Sequence, residues 1–361
     1  MVISNLSKTT GSNKVICTIL AKNYLAFARV MVNSFLRYYP NGKCYALVID
    51  DYEGYIDPRN ENFDIIPLSA LNIPNLKSFC FKYDILELSC AVRPFFWEYL
   101  FNAKSINEII YFDPDILILN PLDNLFSLFD SHDILLTPHI TKDYPNDGLH
   151  PTDHINLVFG AFNLGFIGLK QSRETQTFLD WLKGKTYDRC LVDLQEGVFC
   201  DQKFYDFAHV LFDNIFIVKD HGYNVAWWNL HYRKVTKNKD KWYCNDGPLY
   251  FYHFSNFQPE HADIISPYQT RYKLSEIPGL LDLFHEYRDF LLENGYEISK
   301  NWPYSYGFFK NGVKITPSIR NFYRNKQDGG RCHCDPFKSK YLIFRQLFIE
   351  MEKSIRETYV R

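Results

Sequence analysis

The sequence has almost no net charge: 40 Lys and Arg stand against 42 Asp and Glu in 361 residues. A balanced chain carries no field of one sign, which excludes broad electrostatic capture of nucleic acid or of a strongly acidic partner. No apolar stretch reaches the length of a membrane span, so any membrane contact is expected at the periphery only. The N-terminal MVISNLSKTTGSNK is polar and lacks the apolar core of a signal peptide. A cytoplasmic location is therefore expected, with the inner face of the membrane as the place for peripheral contact. Paired cysteines are missing too. The nine cysteines are scattered and odd in number, and most sit in apolar runs such as Val15-Ile16-Cys17 and Phe79-Cys80-Phe81, as buried reduced thiols do. Cys332-His333-Cys334 is their one cluster, and it has no second pair at zinc-finger spacing. No internal repeat or low-complexity tract is evident.

What the chain does have is 46% hydrophobic residues, enough for a large core and a smaller second unit. Aromatics reach 17%, most of them explained by packing. Val15 to Leu20 is a continuous apolar run of the kind parallel sheets contain. Leu25, Ala28, Val32, Phe35 and Leu36 then recur at helical spacing until Pro40-Asn41-Gly42, and Cys44 to Ile49 gives a second strand. Strand, helix, strand in this order predicts a parallel α/β unit with a ligand crevice at the strand ends. A second helix is predicted over about Phe81 to Phe101, and further strands over Ile109 to Phe112 and Ile134 to Thr137. Residues 142 to 154 read as a polar loop in a lid position. Phe159 to Gly168 combines strand character with three glycines, which fits either close backbone approach or a tight sheet crossing. Beyond Ser266 helical periodicity takes over. Residues 1–13 read as a tail, 14–265 as the α/β domain and 266–361 as a mainly helical accessory region.

Asp113-Pro114-Asp115 lies between the runs Ile109 to Phe112 and Ile116 to Leu119. Side chains at i and i+2 of an extended segment share a side, so both carboxylates can reach one cation at a strand end. His253 ends a late apolar run and is a candidate third ligand; an imidazole beside two carboxylates moves the preference from Mg²⁺ toward Mn²⁺. Tyr223, Asn224, Trp227 and Trp228 form an aromatic and amide cluster that suits either a sugar ring or a buried corner.

These segments, in this order, resemble the nucleotide-sugar glycosyltransferases of GT-A fold, closest to the retaining glycogenin and lipopolysaccharide-galactosyltransferase type. Tyr111-Phe112-Asp113-Pro114-Asp115 matches the acidic metal motif, Phe162-Asn163-Leu164-Gly165 the Asn-x-Gly strand, Asp201-Gln202 the Asp-Gln helix start, and His253-Phe254-Ser255 the late histidine. The resemblance spans about residues 14 to 260. It implies a Rossmann-like mixed sheet flanked by helices with a small C-terminal helical appendage. It also implies a divalent metal, Mn²⁺ or Mg²⁺, a UDP-sugar donor, a glycan, lipid-linked or protein acceptor, and transfer with retention. By resemblance Thr18 and Asn23 contact the nucleotide, Asn163 and Gly165 the donor, and Asp201 and Gln202 the reaction centre. Of the two basic residues before the metal strand, Lys82 and Arg93, Arg93 is the one expected to fork onto the diphosphate. The Gly- and Lys-containing turn that follows the family's histidine is replaced here by Ser255-Asn256-Phe257-Gln258-Pro259, so diphosphate recognition by that loop is not implied.

Two other readings compete. Haloacid-dehalogenase-type phosphohydrolases also begin with Asp-x-Asp after an apolar strand, but near the first strand, and with Thr or Val where this chain has Leu117. A non-catalytic sugar-binding or scaffolding protein on a transferase fold would not need intact Asp113, Asp115 and His253.

Overall fold

Residues whose side chains are apolar on both faces of an extended backbone can only sit inside a covered sheet, and all six residues of the first strand, β1 (Val15–Leu20), are buried. A computed structural model describes residues 14–327 and 335–359; the tail at 1–13 and Cys332-His333-Cys334 lie outside the described residues. Helix α1 (Leu25–Leu36) follows, and β2 (Lys43–Val48) returns parallel to β1. β3 (Asp64–Pro67) pairs with β2 at the edge. Its four residues open with an acid and close with a proline, too short a run to show a period in the sequence.

The single helix expected over Phe81 to Phe101 is three helices, α2 (Leu76–Lys82), α3 (Ile85–Ala91) and α4 (Arg93–Lys104). Tyr83 is extended, and Asp84 restarts the chain with a capping box: its carboxylate accepts from Glu87 N–H and the Glu87 carboxylate accepts from Asp84 N–H. Pro94 lies in the first turn of α4, where it lacks no needed donor.

β4 (Glu108–Phe112) runs into the acidic turn and β5 (Ile116–Ile118) leaves it. After them come α5 (Asp123–Ser127), β6 (Ile134–Pro138), α6 (Asp153–Phe159), β7 (Phe162–Lys170) and α7 (Arg173–Arg189). The hairpin of β8 (Val192–Asp193) and β9 (Val198–Phe199) leads to α8 (Tyr205–Leu211) and β10 (Ile215–Ile217). A small antiparallel sheet of β11 (Val235–Asn238), β12 (Lys241–Cys244) and β13 (Gly247–Pro248) precedes β14 (Phe251–His253).

The main sheet has seven strands in the order β10-β6-β7-β4-β1-β2-β3, and every pairing is parallel except those of β7, which runs against both β4 and β6. It is the mixed α/β sheet flanked by helices that the sequence predicts. The carboxyl ends of β1, β4 and β6 therefore share one edge with the amino end of β7, and the candidate residues cluster there. Successive residues of β1 feed opposite cores, Cys17 and Ile19 toward the α2, α4 and α7 side and Ile16 toward α1 and α5.

The expected C-terminal helices are α9 (Pro278–Glu293), α10 (Tyr296–Ser299), α11 (Pro317–Gln327) and α12 (Lys340–Tyr359). Leu283, Phe284 and Tyr287 of α9 pack with Tyr252 and Phe254, and Ile319 and Tyr323 of α11 join the core under β1. A buried lysine ties this region to the strand ends. Lys22 Nζ lies 3.2 Å from Asp50 and donates to Ser305 Oγ at 2.9 Å, while Ser305 N–H donates to Asp50 at 2.8 Å. Among the described residues no helix is long and apolar enough to cross a membrane.

Candidate functional site

The strand that leaves the acidic turn does not stay in the main sheet. β5 pairs antiparallel with β14, with His253 opposite Ile116, and Phe254 N–H donates to Asp115 O at 2.9 Å. This two-stranded ribbon carries His253 back to acids far behind it in the chain. Asp113, Asp115 and His253 each offer a ligand atom, and these atoms lie within 4.8 Å of one another. The third wall is β7. A Cβ on Gly165 would lie 2.3 Å from His253 Cε1 and 2.7 Å from Nδ1, so the ring occupies space that only glycine leaves open. Of the two explanations for the glycines, close approach holds at Gly165, while Gly168 admits the Leu135 side chain of the neighbouring strand.

The two acids are held differently. Asp113 Oδ1 accepts from Tyr111 Oη and from Arg93 Nη2 at 3.0 Å, which leaves its other oxygen free. Asp115 Oδ1 is buried without a hydrogen-bond partner, although it lies 3.2 Å from His253 Nε2. Burial works against a charge on His253, but the Asp115 carboxylate outweighs it and raises the imidazole above its ordinary value. An orphaned carboxylate oxygen facing a ring nitrogen, beside a second half-exposed carboxylate, fits a divalent cation with mixed oxygen and nitrogen ligands.

Arg93 does not stand free for a diphosphate. It is 5% exposed, and its Nη1 donates to both oxygens of Asp201 at 3.0 and 3.1 Å while Nη2 holds Asp113. Burial disfavours its charge, but Asp201 above all keeps the guanidinium protonated. Asp201 in turn is fully buried; burial raises its carboxyl and Arg93 pulls it back. The resemblance puts Asp201 at the reaction centre; in the structure both its oxygens accept from Arg93 Nη1, so the buried carboxylate is satisfied by the guanidinium. Lys82, the alternative to Arg93, is buried against Asp188 and the Tyr187 ring, away from the acids.

Gln202 braces the amino end of β7. Its Oε1 accepts from Leu164 N–H at 3.2 Å and its Nε2 donates to Phe159 O at 2.8 Å. Asn163 lies directly behind His253, with Oδ1 3.2 Å from the ring Nδ1 and 3.2 Å from Gly165 N. Thr18 Oγ1, in the second half of β1, and Asn23 Oδ1, just past its end, are buried and make no hydrogen bond. The aromatic and amide cluster divides. Tyr223 is a buried core residue, stacked on Tyr250 with centroids 4.0 Å apart. Trp228 sets its ring edge-on to His253 at 5.3 Å, and Trp227 is half-buried; both indole N–H groups lack a partner. Asn224 is wholly buried and touches His253 and Asn163.

Sequence reasoning missed His139, and gave Asn229 no role beyond the end of the aromatic and amide cluster. His139 packs edge-on against Trp228, with Nδ1 2.8 Å from Gly160 O and Nε2 3.4 Å from Asn163 Nδ2. Asn229 holds the Asn224 turn by donating to Asn224 O at 3.0 Å and His139 O at 3.2 Å. A histidine two residues after a predicted strand, at the edge where the acids lie, was the one available signal.

No family model matches the sequence. Two uncharacterized proteins of Bacillus subtilis (strain 168) are related to it: YfnF, 22% identical over 75% of this chain and 90% of its own length, and YfnD, 24% identical over 66% and 76%. Among solved structures the chain is similar to the galactosyltransferase LgtC in complex with donor and acceptor sugar analogs, at 14% identity over 76% of this chain and 99% of that one, with a TM-score of 0.45. It is also similar to the glycosyltransferase GlyE of Streptococcus pneumoniae TIGR4, at 16% identity over 83% and 67%, with a TM-score of 0.46. At these TM-scores the likeness is one of outline, and the chemistry has to be taken from the site's own residues.

Proposed function

We propose that this chain is a metal-dependent glycosyltransferase, moving a sugar from a nucleotide-sugar donor, UDP-linked by resemblance, to a hydroxyl acceptor on a glycan, lipid-linked or protein substrate. The observation that carries the reading is the convergence of Asp113, Asp115 and His253 at the ligand edge of the sheet, with Asp115 Oδ1 left unpaired. Asp113 would bind through the oxygen that Tyr111 and Arg93 leave free, Asp115 through its orphaned oxygen, and His253 through Nε2. A divalent ion held there, Mn²⁺ or Mg²⁺, supplies the charge that stabilises a departing diphosphate.

The rest of the work belongs to side chains. Thr18 Oγ1 and Asn23 Oδ1, unsatisfied in β1 and just past its end, are suited to nucleotide hydroxyls and amides. The indole N–H groups of Trp227 and Trp228 are donors without partners and suit sugar or phosphate oxygens. Gln202, neutral and at the amino end of β7, suits the donor sugar without being a strong nucleophile. Asp201 is covered and forked by Arg93, which disfavours a covalent step through its carboxylate and favours front-side substitution with retention. Residues 14–265 would form the catalytic domain and 266–361 the accessory region.

The test is turnover by purified protein of labelled UDP-, GDP- and CMP-sugars with Mn²⁺, Mg²⁺ or chelator. Metal-dependent release of nucleoside diphosphate is expected for at least one donor. Neither turnover nor metal-dependent binding with any of them would refute the assignment.

A further inference from the structure

Hydrogen-bond polarity at His253 is dictated from two backbone groups some distance away. Gly165 N–H is a donor only, so the Asn163 atom 3.2 Å from it is Oδ1, and Asn163 Nδ2 points to His139 Nε2 at 3.4 Å. Gly160 O is an acceptor only, so His139 Nδ1, 2.8 Å away, carries the proton and Nε2 accepts, which agrees with that orientation. The Asn224 atom 3.0 Å from Asn163 Oδ1 must then be Nδ2, which also donates to Thr137 Oγ1 at 2.8 Å. Asn224 Oδ1 is left facing His253 Nδ1 at 3.3 Å, beside Asn163 Oδ1 at 3.2 Å. Two amide oxygens, both acceptors, meet one ring nitrogen. That nitrogen has to be the N–H.

We propose that Asn224 is a positioning residue for the metal ligand: with Asn163 it locks His253 as the Nδ1–H tautomer, so that Nε2 presents its lone pair to a cation beside Asp115. The inference rests on the metal reading of Asp113, Asp115 and His253. Asn224 is 0% exposed, so it acts on a bound ion only through the ring it holds. Its backbone is left-handed, with φ of +52°, a conformation asparagine tolerates and β-branched residues do not. A ligating imidazole whose second nitrogen is anchored is oriented and more basic, and loss of such an anchor weakens metal affinity by about 10–100-fold.

Two measurements test this. In metal-free protein with ¹⁵N-labelled histidine, studied at alkaline pH where the ring is neutral although Asp115 raises it, the His253 signals, assigned with H253Q, are expected to show a single Nδ1–H tautomer that Asn224→Gly loses. Glycine is the substitution that keeps the backbone. In Mn²⁺ titrations followed by electron paramagnetic resonance, Asn224→Gly is expected to raise Kd by about 10–100-fold, and Thr137→Val, which frees the Asn224 amide and gives up a long bond to Asn163 O, to raise it less. An Nε2–H tautomer in the wild type, or an unchanged Mn²⁺ Kd in folded variants, would overturn the proposal. Wild-type protein that takes up no Mn²⁺ would overturn the metal reading instead; the tautomer measurement, made without metal, still decides the role of Asn224.

Discussion

The Cβ that Gly165 lacks would sit 2.3 Å from Cε1 of His253. A methyl group there cannot coexist with the ring in its present place, and the ring is held from behind by Asn163 and Asn224. Gly165→Ala is therefore expected to swing His253 off the acids and weaken Mn²⁺ binding by at least about 10-fold, with the far-ultraviolet circular dichroism unchanged. Calorimetric titration of the variant against wild type checks this.

Asp115→Asn separates the site's chemistry from its stability. The carboxylate oxygen it alters has no hydrogen bond to lose, and an amide N–H could donate to His253 Nε2. Sugar-transfer activity is expected to drop by at least about 100-fold, while the denaturation midpoint stays level or rises slightly. Wild-type rates at limiting metal would remove Asp115 from the site.

Arg93 is predicted to matter for the fold as much as for catalysis. Arg93→Ala strands the fully buried Asp201 and uncovers Asp113, a change expected to cost about 3–5 kcal/mol in urea unfolding. Lysine cannot hold Asp201 and Asp113 from two separate nitrogens as Nη1 and Nη2 do, and should recover little of the loss. Combining Arg93→Met with Asp201→Leu, which removes both charges together, is expected to be more stable than Arg93→Ala alone.

His139 gives a pH signature. Burial depresses its imidazole from 6.5 to about 4, and the bond to Gly160 O offsets this only in part. In the unfolded chain the ring takes up a proton as pH falls through about 6.5, whereas the folded protein resists until about 4, so the unfolded state binds more protons across that window. Stability must then fall with pH from about 6.5 downward, by about 3 kcal/mol in all. Unfolding free energies of wild type and His139→Gln at pH 7.5, 6 and 5 check the sign: the variant should show the shallower slope. A slope equal to that of wild type would mean the ring titrates normally.

How far the sequence could be read follows from what kind of contact each feature depends on. Continuous apolar runs disclosed β1, β2, β4, β6 and β7, because burial on both faces leaves its mark residue by residue. The acid pair was legible for the same reason: charge at the end of such a run stands out. The breaks at Tyr83-Asp84 and Pro94 were written in a capping box and a helix-start proline, but lay inside one apolar period that hid them. Arg93 and Asp201 show the limit. Each looked available for a ligand, and only the fold brings residues 108 positions apart into one fork. Asn224 suited a sugar surface or a buried corner equally well in sequence, and its neighbours Thr137, Asn163 and His253, none of them near in sequence, place it in a buried corner.

The ribbon of β5 and β14 has one more consequence. With Ile116 set opposite His253, a slip of a single residue would bring Tyr252 to the acids and turn the imidazole to the other face. Where the three side chains meet is thus written into main-chain pairing between two three-residue strands. Any change that shifts this register moves a side chain that lies more than a hundred positions in sequence from the acids it must meet.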